Sequence, residues 1–145
     1  MALVVAVGCG VGSGDPTIAT SSLSKAQFVA KVNAICAQSG LTKAVGAYQQ
    51  RHIDEFSVKT VPGAARTVIR PILQAQIDEM RKLGAPQGDA GEIELLASSL
   101  MRNVNEIIVK KPETFGLAER MLRPAAAIAH RYGLNRCEYR LVDEG

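Results

Sequence analysis

Few side chains in this sequence of 145 residues could do chemistry: three cysteines, two histidines and scattered carboxylates. His52 lies in Arg51-His52-Ile53-Asp54-Glu55, where an imidazole followed closely by carboxylates could hold a metal or move a proton. No second histidine stands at ligand spacing, so a polar loop is the better reading of this segment. His130 falls in the last turn of an apolar pattern, where a cation complements a helix dipole. The pairs Glu92/Glu94 and Asp54/Glu55 have no nucleophile in any hydrolase pattern, and Ser98 and Ser99 lack a Gly-x-Ser-x-Gly elbow. These residues therefore predict no catalytic group, no metal and no cofactor. The alternative is an envelope enzyme or metal-binding protein using His52 with Asp54 or Glu55.

The cysteines carry more information. Cys36 and Cys137 stand near the two ends of everything after the N-terminal stretch. They could be zinc ligands, a redox pair or a disulfide. With isolated histidines and no Cys-x-x-Cys, a structural disulfide is preferred if the chain is exported. In a reducing compartment that preference is lost, so cysteine chemistry and location are one question.

Cys9 bears on location. It closes the apolar run Leu3-Val4-Val5-Ala6-Val7-Gly8 and precedes Gly10-Val11-Gly12-Ser13-Gly14. The string Ala6-Val7-Gly8-Cys9 resembles the lipobox of bacterial lipoprotein signals, with Ala6 standing where leucine is usual. The apolar segment is at the short limit of such signals, and no lysine or arginine precedes it. The expectation is a partial signal peptide over 1–8, truncated because Met1 is not the true start. Lipid attachment then falls on Cys9, with a flexible Gly/Ser-rich tether over 9–22 and a domain over 23–145. A nucleotide-binding turn is the competing reading of the glycines. It fails because Ser13 stands where the third glycine belongs and no Gly-Lys-Ser/Thr follows. A signal-like terminus without lipid, and hence a secreted domain, remains the alternative.

Composition agrees with one globular unit: 47% of residues are hydrophobic and 21% charged, enough apolar surface for a core. The net charge of +3 comes from basic residues spread along the chain, tryptophan is absent and aromatics are 4%. Neither a dense cationic surface nor stacking platforms are on offer, which argues against nucleic acid. No run approaches the ~18 apolar residues of a membrane-spanning helix.

Helical periodicity organises the rest. Ser24 and Gln27 form a capping box, with Leu23 and Phe28 as a staple, ahead of the stripe Phe28, Val32, Ile35, Cys36. The stripe resumes after Gly40 through Leu41, Val45 and Tyr48. A second pattern covers about 63–83, and Pro71 must either kink it or open its main helix. Asp89 and Glu92 read as a capping box for the stripe Ile93, Leu96, Leu100, Val104, Ile107, which Pro112 closes. The last stripe runs from Phe115 to Tyr132 over an internal Pro124 and ends at Gly133. Met80, Met101 and Met121 fall on or near these stripes as core filler. Four helical segments on short turns predict an all-α fold, an antiparallel four-helix bundle. Up-down connectivity brings Cys137 back to Cys36, one disulfide closing the bundle.

Three segments together carry a resemblance. Leu23-Ser24-Lys25-Ala26-Gln27-Phe28 with Ala34-Ile35-Cys36, then Leu83-Gly84-Ala85-Pro86, and Tyr132-Gly133-Leu134-Asn135-Arg136-Cys137 resemble small exported lipoprotein-like proteins of actinobacteria. The resemblance implies a helical domain with a Cys36–Cys137 disulfide and no particular activity. The chain departs from that pattern in its short signal and in the tail Glu138–Gly145, which is expected to pack along the bundle. The expected role is binding or structural, on the outer face of the cell membrane. Its partners would be the membrane, through lipid at Cys9, and an envelope ligand or protein, but not nucleic acid. Gaps opened by kinks at Pro71 or Pro124 are the only sequence pointer to a ligand groove.

Overall fold

The computed structural model describes residues 18–54 and 60–143. Its elements are α1 (Lys25–Gln38), α2 (Leu41–Arg51), α3 (Thr60–Ala64), a π-helical turn (Ala65–Ile69), α4 (Arg70–Leu83), α5 (Ala90–Lys110) and α6 (Phe115–Tyr132). They make four joined helical segments in a bundle, as the periodicity predicts. The first segment is broken between α1 and α2, and the second runs unbroken from Thr60 to Leu83.

Helix α1 begins as its sequence dictates. The Ser24 side chain accepts from the Gln27 N–H and the Gln27 side chain accepts from the Ser24 N–H, satisfying two otherwise orphaned donors. Its buried face carries Phe28, Val32 and Cys36. Gly40, at φ +62°, then turns the chain into α2, a conformation that glycine adopts without the Cβ clash of other residues. Helix α2 buries Leu41 and Val45 against the π turn and α3.

Pro71 sits at the start of α4 and does not end the helical run. It has no N–H to give and its ring crowds the carbonyl four residues earlier. The turn just before it is widened, with the Arg70 N–H donating to the Ala65 carbonyl, so the irregularity is absorbed there. Pro124 lies inside α6, which continues across it on the exposed side.

Helix α5 packs on α6, on α4 and on the π turn, and α1 lies on α4. Between them sits one core that includes Phe28, Leu73, Ile77, Leu100, Ile107 and Leu122, all fully buried. The Phe28 ring meets Tyr132 edge-on, with centroids 6.0 Å apart, tying α1 to α6. The expected capping box at Asp89 does not form: Asp89 makes no side-chain cap bond. Its carboxylate instead accepts the Tyr132 hydroxyl at 2.5 Å, binding the start of α5 to the end of α6. A charge-assisted bond in this partly buried place outweighs a cap that water can replace. Helix α6 starts from Thr114, whose hydroxyl accepts from the Leu117 N–H.

The first and last of the described residues lie against the bundle. Ile18 is buried, and Ala19 and Ser21 pair in parallel with Ala85, through Ala85 N–H to Ala19 O and Ser21 N–H to Ala85 O, each 2.8 Å. Residues 18–22, which composition assigns to a tether, are thus held at the α4–α5 turn; residues 9–17 lie outside the described residues. At the other end Tyr139 and Leu141 are buried, and Glu119 on α6 accepts from the Leu141 and Val142 N–H groups. The tail packs along the bundle as expected.

Burial and the Asp89 bond push the Tyr132 hydroxyl above its ordinary pKa of 10.0, and burial alone does the same for Tyr139. The folded state therefore favours the neutral phenols. Their contribution to stability is complete below pH 10 and is lost as pH rises above it. Denaturant melts across alkaline pH will show stability falling only above about pH 10. Tyr132→Phe, melted at neutral pH, will cost about 1.5–3 kcal/mol, the range for a hydrogen bond to a charged partner.

Candidate functional site

The Cys36–Cys137 bond marks the best-defined corner of the molecule. Cys36 occupies the last turn of α1, and its partner lies just beyond the end of α6. Gly133, at φ +101°, stops α6, and the Leu134 N–H reaches back to the Ala129 carbonyl while its side chain enters the core. The Cys137 N–H then bonds the Leu134 carbonyl, closing a turn. Asn33 on α1 clamps that turn from both sides: its amide nitrogen donates to the Gly133 carbonyl and its oxygen accepts from the Arg136 N–H at 2.9 Å. The result is a disulfide with a Cα–Cα distance of 5.1 Å, closing a separation of 101 residues. Both cysteines are buried. Bonded to each other, the sulfurs offer no thiolate to zinc. Among the described residues no group of three or more His, Cys, Asp or Glu could hold a metal.

The other sequence-predicted residues are not brought together. Cys9 and Glu55 lie outside the described residues. His52 ends α2 with its ring stacked on Tyr48, centroids 4.2 Å apart, while Asp54 is exposed beyond it. His130 is exposed in the last turn of α6, some distance along the chain from His52 and on a different element. Ser98 donates to the Leu95 carbonyl at 3.1 Å, and Ser99 is buried in α5.

What the structure adds is surface relief. A groove of about 780 Å³ runs between α4 and α5, with Ile77, Ala97 and Met101 at its base. The Arg81–Glu94 ion pair, 2.8 Å, also lines it, and Arg102 and Lys110 contribute cationic side chains. That ion pair makes one bond of a possible fork: Arg81 Nε and Glu94 Oε2 are buried without partners. Val109 also borders the groove, 76% exposed although apolar. Neither Pro71 nor Pro124 lines this groove, which begins at Gln74, one turn beyond Pro71. The signal in the sequence lies on α5, where Val109 is an apolar residue off the core stripe. A second depression lies at the α1–α2 corner beside the disulfide.

No protein-family model, no curated protein and no solved structure matches the chain.

Loss of the disulfide has a defined expected size. Closing a loop of 101 residues stabilises by about 4–5 kcal/mol in the chain-entropy model. The Cys36→Ala/Cys137→Ala variant will lose stability of that order in urea melts while keeping its helical circular dichroism in the absence of denaturant.

Proposed function

We propose that this chain is an extracytoplasmic domain, held by lipid on Cys9 at the outer face of the cell membrane, that binds or supports a component of the cell envelope. The observation that carries this reading is the disulfide. A buried Cys36–Cys137 bond, seated in a turn shaped to present Cys137, suits an oxidising compartment and would be out of place in a reducing one. Among the described residues no helix is long and apolar enough to cross a membrane. On this reading attachment is at Cys9, and the lipobox-like string Ala6-Val7-Gly8-Cys9 supports it. The α4–α5 groove supports a binding role, since an apolar base between charged side chains offers contact area and orientation.

The test is the intact mass of the protein from its native host, alkylated with and without reduction. The expected result is a diacylglyceryl adduct on a chain that starts at Cys9, with Cys36 and Cys137 taking up alkylating agent only after reduction. An unprocessed chain with three reactive thiols would overturn both location and anchor. Oxidised Cys36 and Cys137 without lipid would replace the anchored domain by a secreted one.

A further inference from the structure

The outward face of α5 carries a stripe that the bundle does not cover. Ser98, Met101, Arg102, Asn105 and Val109 recur at three- and four-residue steps, so they share one side of the helix. The opposite side, with Leu96, Leu100, Val104 and Ile107, is buried in the core. Met101 is half-buried, whereas Ser98, Arg102, Asn105 and Val109 are exposed. Among the described residues Val109 is the most exposed large apolar side chain. Standing in water, it contributes nothing to the stability of its own domain and keeps its apolar surface available for burial against a partner.

The groove between α4 and α5 supplies the matching hollow. Its base is Ile77, Ala97 and Met101, and Val109 stands on its border about two turns of α5 beyond Met101. A protrusion and a hollow therefore lie side by side on one surface of one chain. They can fill each other only between two copies, which is the arrangement of an isologous two-fold interface.

The charges follow the same symmetry. A two-fold axis through Asn105, with the two α5 helices antiparallel, brings residues equally far before and after Asn105 face to face. Val109 of one copy then lies over Met101 of the other. Arg102 comes within about two residues, or ~3 Å along the helix, of Glu106 in the second copy, and the reverse pair forms by symmetry. Glu106 is held in its own chain by Lys110 at 3.3 Å, an exposed pair that contributes little, so this carboxylate can also accept from an arginine across the axis. Asn105 meets its own counterpart, and each amide has both a donor and an acceptor to exchange. A polymer or surface of one charge sign would suit only half of these groups.

We propose that the outward face of α5 is a homodimer interface, in which Val109 of each copy enters the α4–α5 groove of the other and Arg102 pairs with Glu106 across a two-fold axis. Such a dimer fills the groove with a second copy of the chain; it rests on the binding role read for that groove above and not on lipid at Cys9. The stripe from Ser98 to Val109 covers about 18 Å of helix, so the interface is small and the dimer is weak in dilute solution. Copies tethered to the same membrane face meet at a far higher effective concentration.

The experiment is sedimentation velocity of the oxidised full chain over a concentration series, with helical circular dichroism as the check on folding. Wild type will shift from monomer to dimer as concentration rises. Val109→Lys, at an exposed site, will weaken dimerisation by about tenfold or more, because a charge then enters an apolar hollow. Arg102→Glu and Glu106→Arg will each weaken it by about the same factor, since each sets like charges opposite one another at two symmetric places. An equimolar mixture of these two variants will dimerise again, because each copy offers the charge that the other lacks. Lys31→Ala, on an exposed site of α1, will behave as wild type. A chain that stays monomeric up to roughly 1 mM, the scale of effective concentration that tethering reaches, would overturn the proposal. So would a dimer that Val109→Lys leaves intact, or charge variants that stay monomeric when mixed. None of these results bears on the mass of the native protein, so the anchored envelope reading and the dimer fail separately.

Discussion

Joining the end of α6 to the last turn of α1 is the constraint on which the other contacts depend. The Cys36–Cys137 bond removes a separation of 101 residues from the freedom of the unfolded chain. It does so at a place already prepared by Gly133, Leu134 and the two-sided bond of Asn33. Phe28 on Tyr132, and Tyr132 on Asp89, continue the same seam along the helices. The tail is threaded between Thr42 on α2 and Glu119 on α6, so it closes the corner from outside. Were the bond absent, the tail and the α1–α2 corner would have to be ordered by these weaker contacts alone.

Within that frame the helices solve local conflicts through their neighbours. Pro71 does not divide the second helical segment, because the π turn over Ala65–Ile69 takes up the missing bond. Asp89 exchanges a helix cap for a bond to Tyr132, and Glu92 and Ile93 are then bonded through the Asp89 backbone carbonyl. In both cases a local preference yields to a contact between elements. The Arg81–Glu94 pair is a less complete solution, since one atom on each side is left without a partner at the edge of the α4–α5 groove. Each buried atom left without a partner there costs stability in a way that the apolar core does not.

The two depressions differ in chemistry. Between α4 and α5 the base is apolar and the charged groups of both signs stand around it, an arrangement for contact with a partner surface. At the α1–α2 corner the lining is more polar, with Lys43 and Arg136 standing beside Glu138 and Asp143. The corner is also the part of the surface most directly tied to the disulfide, with Cys36 and Cys137 both in its wall.

The all-α class and the limits of most helices could be read from residues alone. They rest on features local in sequence: apolar residues at helical spacing, the Ser24–Gln27 capping box, and glycine after α1 and α6. The residues left the chemistry of Cys36 and Cys137 open between zinc, redox and a disulfide, and the resemblance implied the bond that the structure contains. The sites could not be read that way. Gln76 looks like any polar residue on a helical stripe until the fold buries it beside the disulfide, and Lys43 of α2 and Arg136 are far apart in sequence until the turn after α6 meets the α1–α2 corner. The Asp89 to Tyr132 bond was equally hidden, since a capping pattern names a local partner and carries no information about a hydroxyl from another helix. Short-range order was settled by the sequence by itself, because caps and periodicity act over a few residues. Which polar groups are buried and left unpaired, such as Arg81 Nε and Glu94 Oε2, was decided only by the tertiary structure, because burial is a property of elements packed against one another.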